Sequence, residues 1–421
     1  MSNTSTLDPV ARTVARPTPV HPRRGEPASA PRSGADSAAI KQLGELAKGY
    51  TLEQIERWAR EGRSVIWGGN SWEAPLIRAC DTIPVGFVQL WRQDSLRAEA
   101  VAENHHQISS EFCSMIKAMI GRLHLNKDSS AIKRILFFGS TCEPIGMVLD
   151  HARHDGYDVH CIDAATAFKP GERRTELVAF LVNELQKVSL WLTGKRVDED
   201  RLRAELKFKN HIMRKVRRVL DLRLQAPFYL SSAPTSQLLM GSTHYFGQPE
   251  AYEAVLDQVV ADLEAAGRAP ETRYFIPLVL AGGVAGGPKL LKVIEDAQGV
   301  VLGWVIHSTS DFREDIPPLE AVAHYLFDAQ LKGELGEGAG ASATLRRVRV
   351  EELVDKTKAR GIISSFVTGC PYGSVVQGIE REYFKKKGVP FVSLEHTVHA
   401  EEPPTEEQVT RIKAFIEMLA D

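Results

Sequence analysis

Short apolar runs alternating with helical periods constrain this chain more than any other feature. In its first part SVIWGG (64–69), IPVGF (83–87), RILFFG (134–139) and VHCID (159–163) read as strands. Helical spacing fills the intervals at 73–81, 103–123 and 147–154, and one or two amphipathic helices precede them at 38–63. Brief buried strands separated by helices argue a parallel α/β sheet. From 172 to about 268 the strand signal vanishes. Residues 177–192, 198–224 and 249–266 then show helical spacing, with many charges on the remaining faces. The alternation returns with RYFIPLVLAG (273–282), VVLGWV (300–305), GIISSFV (361–367) and PFVSLE (390–395), interleaved with helices at 289–296, 350–360, 374–387 and 406–419.

This pattern predicts an α/β protein with two doubly wound lobes, a helical insert and N-terminal helices. The expected divisions are a disordered tail (1–36), N-terminal helices (37–63), a first lobe (64–170), a helical linker (171–270) and a second lobe (271–421). Two doubly wound lobes place their crevices at the carboxyl ends of the strands, facing each other. The tail is rich in Pro, Arg, Ala and Ser and lacks an apolar period, so it cannot offset the entropy of ordering. A transit peptide is the functional alternative, since acids are scarce there. GELGEGAGASAT (333–344) reads as a flexible loop.

Composition excludes several classes. The chain has 421 residues, 43% hydrophobic and 25% charged, which is ordinary for a soluble globular protein. A formal net charge of −2 gives no sign of a nucleic-acid partner. No apolar run approaches the roughly 20 residues of a membrane span. Five cysteines are an odd number and too few for a disulfide framework, which favours a reducing cytoplasm with thiols free or holding metal.

Three of those cysteines sit at element starts. Cys142, in GSTCEPIG, and Cys370, in TGCPYGS, each follow a strand, and Cys113, in EFCSMIKAMIG, opens a helix. Backbone dipoles at a helix N-terminus favour the thiolate, the form that iron–sulfur clusters require. Buried cysteines acting as small hydrophobes are the alternative. No CxxC pair is present, so ferredoxin and zinc-ribbon spacings are absent. Cys80 and Cys161 read as core residues. AGGVAGGPK (281–289) has the GxxxxG spacing of a phosphate loop, but Pro288 stands at the lysine position. His105 with His106, and His396 with His399, could serve as ligands or proton donors, though such pairs are more often ordinary surface residues. Glu395 ends a strand at the same sheet edge as Cys370 and is the candidate for general acid–base work.

Taken together, four segments resemble the 2-hydroxyacyl-CoA dehydratase and benzoyl-CoA reductase family, over about 63–419. WEAPLIRACDTIPV is similar to its early helix-and-strand segment, EFCSMIKAMIG to its first cysteine helix and GSTCEPIG to its second cysteine turn. GCPYGSVVQGIEREYFKKKGVPFVSLE, with EEQVTRIKAFIEML after it, is similar to the third cysteine and the closing helix. Glu143 stands where an aspartate is usual, and EHTVH differs from the acidic and aromatic pair expected after the last strand.

The resemblance implies two Rossmann-like lobes with one [4Fe–4S] cluster held by Cys113, Cys142 and Cys370. Three thiolates leave one iron open to water or a substrate oxygen. It also implies an acyl-CoA substrate, a paralogous second subunit forming a heterodimer, anaerobic chemistry and a separate ATP-hydrolysing iron–sulfur activator that injects one electron. The expected reaction is (R)-2-hydroxyacyl-CoA dehydration through a ketyl radical, with reduction of an aromatic acyl-CoA as the alternative. A double-cubane branch would call for about six thiolates, against five cysteines here. A subunit carrying only a relay cluster, and a two-lobed ligand-binding protein without a cluster, are the readings from other classes.

Overall fold

The computed structural model describes residues 37–88, 94–139, 142, 144–163, 173–267, 274–282, 287–305, 308–334, 343–399 and 403–420. The expected tail, the centre of the 281–289 glycine turn and most of the 333–344 loop lie outside the described residues.

Two helices open the described chain, α1 (Ala38–Gly49) and α2 (Leu52–Arg60). The Ser37 hydroxyl accepts from the Ile40 amide at 3.4 Å and the Thr51 hydroxyl from the Gln54 amide at 3.2 Å, which caps both N-termini. The first lobe follows as β1 (Ser64–Trp67), α3 (Ala74–Ala79), β2 (Thr82–Val85), α4 (Ser95–His106), α5 (Ser114–Asn126), β3 (Arg134–Phe138), α6 (Ile145–His154) and β4 (Asp158–Ile162). A helical stretch comes next: α7 (Arg174–Thr193), α8 (Glu199–Arg223), α9 (Ser232–His244) and α10 (Pro249–Ala266). The rest of the chain forms the second lobe, with β5 (Ile276–Gly282), α11 (Gly287–Asp296), β6 (Gly299–Val305), α13 (Ala343–Thr357), β7 (Gly361–Val367), α14 (Pro371–Lys386), β8 (Phe391–His396) and α15 (Glu406–Ala420), while α12 (Pro318–Leu331) crosses back to the first sheet.

Each lobe is built on a four-stranded parallel sheet, and the two sheets share one plan. Their orders are β2-β1-β3-β4 and β6-β5-β7-β8. Strand order therefore reverses beside the first strand of each lobe, and the crevice of a doubly wound sheet opens at the carboxyl ends there. This is the two-lobed Rossmann-like architecture that the alternating pattern predicts.

Helix α8 ties the lobes together. Its Glu205 accepts from Arg78 of α3 at 2.7 Å, while its buried Arg223 donates to the Val301 carbonyl of β6 at 2.7 Å. Its Asn210 pairs twice with the Phe312 backbone, at 2.9 and 2.7 Å. One apolar core runs without a break through α1, β3, α8, α10, β5 and α15. Smaller clusters pack α7 and α12 on the first sheet, and α13 and α14 on the second.

Two expectations need correction. The helical stretch at 103–123 is two helices: Gln107 takes a left-handed conformation (φ 57°) that ends α4, and Cys113 is the residue that caps α5. The strongly buried α9 and α12 are additional helices. Both are apolar or small on most faces, so neither shows the one-sided stripe by which a surface helix is read.

Candidate cysteine-lined site between the lobes

Three helix N-termini supply the thiols. Cys113 caps α5, Cys370 caps α14, and the Cys142 carbonyl accepts from the Ile145 amide at 3.1 Å where α6 begins. Cys142 and Cys370 occupy equivalent positions, each following the third strand of its lobe's sheet. Cys113 is buried; the other two are half-buried and packed against the main core.

The cysteine turns of the two lobes meet backbone to backbone. The Ser114 amide donates to the Thr368 carbonyl at 3.1 Å, and the Thr368 amide to the His396 carbonyl at 2.8 Å. Gly369 adopts φ +74°, and a Cβ there would lie 2.6 Å from the Glu111 carbonyl oxygen and 2.7 Å from that of Phe112. Only glycine permits that approach. The sulfur of Cys370 accepts from the Gly373 amide at 3.3 Å, and Pro371 starts the helix without needing a donor of its own.

The sulfurs sense one another. The thiol of Cys113 donates to the sulfur of Cys370; this bond and the amides of Gly373 and Tyr372 bring Cys370 down to about 6. The same bond, with burial, pushes Cys113 well above its ordinary value. Burial likewise raises Cys142, and the negative charge on Cys370 adds to the effect. Only Cys370 therefore ends below its ordinary value, chiefly through the Cys113 bond, although helix-start amides lower all three thiols. At the other two thiols, desolvation and a neighbouring sulfur outweigh the amide dipoles. A cationic group between the sulfurs would reverse that balance by favouring all three thiolates. The paired sulfurs of Cys113 and Cys370, with Cys142 nearby, stand at amide-rich helix starts and suit thiolate ligation of an iron–sulfur cluster.

Beneath the turns lies a polar network that the sequence did not reveal. Glu99 of α4 accepts from the Ser114 hydroxyl at 2.6 Å, pairs with His399 at 2.6 Å and forms an ion pair with Lys117 at 3.0 Å. Lys117 also reaches Glu103 at 2.6 Å and the Ser110 carbonyl at 2.7 Å, and the Val398 amide donates to the Ser114 hydroxyl at 3.2 Å. The available signal was local: Ser114 follows a cysteine, and Glu99 and Glu103 are one helical turn apart.

The remaining expected residues fall in several places. Glu395 lies on β8 opposite Phe366, with an exposed side chain, and its carbonyl accepts from Gln408 at 2.6 Å. His396 is buried, bonded to Ser365 at 2.8 Å and pushed down to about 4 by burial, so it stays neutral. His105 and His106 gather with His124 near the C-terminus of α5, about 16 Å along the helix from Cys113. Among the described residues no helix is long and apolar enough to cross a membrane.

None of the curated proteins compared with the chain matches it. The family described as 2-hydroxyglutaryl-CoA dehydratase, D-component, matches residues 73–419, a span that takes in every described strand except β1 and all three cysteines. The chain therefore belongs to the 2-hydroxyglutaryl-CoA dehydratase D-component family.

Proposed function

We propose that this protein is the cluster-binding subunit of an acyl-CoA dehydratase, with Cys113, Cys142 and Cys370 as ligands of one [4Fe–4S] cluster. The observation that carries this reading is the meeting of the Cys113 and Cys370 helix starts, with Cys142 near enough to feel the charge on Cys370, in a chain of this family. When bound, such a cluster supplies one-electron reduction and an iron with no protein thiolate, open to a substrate oxygen. The substrate class is a 2-hydroxyacyl-CoA thioester. A paralogous subunit completes the heterodimer, and an ATP-hydrolysing iron–sulfur activator delivers the electron.

In this reading the chain's own groups do three things. The Gly373 amide and the helix starts stabilise thiolate charge. The Glu99 network fixes the α5 turn against the segment after β8, so that ligands from two lobes keep one geometry. Glu395, exposed at the sheet edge, is the group we assign to proton handling.

The test is an anaerobic iron and sulfide count with an electron paramagnetic resonance spectrum, on wild type and Cys142→Ala. Roughly four irons per chain, lost in the variant, is the expected result. Absence of iron from reconstituted wild type would overturn the reading.

A further inference from the structure

At the other end of α5 from Cys113, three histidines present ligand nitrogens that all lie within 4.8 Å of one another: His105, His106 and His124. We propose that they form a binding site for one divalent transition-metal ion of the zinc class, separate from the cysteine-lined site.

The geometry is that of a built site. His105 and His106 come from the last turn of α4 and His124 from the last turn of α5. Gly121 lets the two helices touch, since a Cβ there would lie 1.8 Å from the Ala98 carbonyl oxygen. The ring centroids of His105 and His106 lie 4.3 and 4.7 Å from that of His124. In a tetrahedral zinc site ligand nitrogens sit about 3.3 Å apart, so side-chain rotation alone closes the set.

Two independent observations point to an ion. The Nε2 atom of His106 is buried with no hydrogen-bond partner, an orphan that a metal would satisfy. The Nδ1 atom of His124 is 3.0 Å from the Asp155 carboxylate, itself 4% exposed. That pairing fixes the ring and leaves Nε2 for the ion, as carboxylate–histidine pairs do at metal sites. Attraction of imidazolium for helix C-termini explains one histidine at each end, but not their convergence, where several positive rings would repel.

The cleft has a volume of about 640 Å³ and is bordered by Met147, His151 and His154 of α6. The ring of His151 lies 4.5 Å from that of His106, so either it or water can take a fourth position. Imidazole donors suit zinc, copper, nickel and iron, and not calcium or magnesium. An ion here would join the C-terminal ends of α4 and α5.

The full chain, iron-free, is titrated with Co²⁺ by absorption spectroscopy and with Zn²⁺ by calorimetry. The expected result is one ion per chain in the variant whose Cys113, Cys142 and Cys370 are all changed to Ser. His106→Ala and His124→Ala are expected to weaken binding at least about a hundredfold, and Asp155→Asn about tenfold. Should the His106 and His124 variants fail to fold, the exposed His105→Ala is expected to weaken binding by about tenfold or more. Binding abolished by the cysteine changes and untouched by the histidine changes overturns the proposal. So does affinity weaker than millimolar in wild type.

Discussion

The amide of Ser114 donates to the carbonyl of Thr368 at 3.1 Å, joining the residue after one cysteine to a residue just before another across the two lobes. Gly369 makes the contact possible. Gly369→Ala forces a Cβ against the carbonyls of Glu111 and Phe112 at a φ of +74°. We expect a loss of about 1–3 kcal/mol from backbone strain alone, and reduced iron content on reconstitution. Gly378→Ala, in α14 with open space around it, is the control and should gain about 0.5–1 kcal/mol. Urea denaturation of both variants checks the pair.

Cys370 should be the first of the site thiols to be alkylated in iron-free protein. Its sulfur accepts a hydrogen bond from the Cys113 thiol and is held at about 6, whereas burial and the neighbouring sulfur hold Cys113 and Cys142 high. Cys113→Ala removes the donor, so the Cys370 value should rise and its alkylation at pH 7 should slow. Peptide mapping after timed iodoacetamide treatment reads both. An unchanged rate in the variant would show that the amides of α14 suffice.

Arg346 and Glu380 form an ion pair at 2.7 Å with side chains 3% and 0% exposed, joining α13 to α14. The Arg346 guanidinium also lies 5.1 Å from the centroid of the Phe366 ring. Glu380→Ala strands a buried cation and should cost about 3–5 kcal/mol. Replacing both partners with apolar residues should recover most of it. A loss below about 1 kcal/mol would place the pair with exposed ones.

Lys209 gives a pH dependence of stability with a definite sign. It is fully buried, donates to the Ser242 carbonyl at 2.5 Å, and is pushed down to about 7 by burial and by the charge of Arg78, with Glu73 opposing. A folded value below the ordinary 10.5 means that the unfolded chain binds more protons between about 7 and 10.5. This residue's contribution to stability therefore rises with pH across that window and is least favourable below 7. Lys209→Met should lose that rise, so wild type gains on the variant between pH 7 and about 9.5. Urea midpoints at the two pH values test it, and parallel changes in both proteins would refute it.

Much of this architecture is legible without coordinates because each strand is a short apolar run with clear ends. GIISSFV occupies β7 as expected, and 249–266 coincides with α10. The break between α4 and α5 is not legible, since QISSEFC keeps enough apolar residues to continue a period, while the turn is held by a tertiary contact to Thr368. The three cysteines are visible as strand-to-helix residues, but their partners are not. Glu99 and His399 are 300 positions apart, and nothing local in either segment announces the pair. Helices α9 and α12 escape for a different reason: an element buried on most sides has no polar face to give it a period.

The hydrophobic core that passes unbroken from α1 through both sheets to α15 makes the protein a fixed frame rather than a pair of jaws. Swinging one lobe away from the other would expose that interior to water and tear α8 from its anchors on both sides. Any route to the thiols must therefore open by small rearrangements of the surrounding turns, with the spacing between the cysteine-bearing helix starts left intact. Such a frame holds a reactive centre at constant dimensions while other molecules come and go around it.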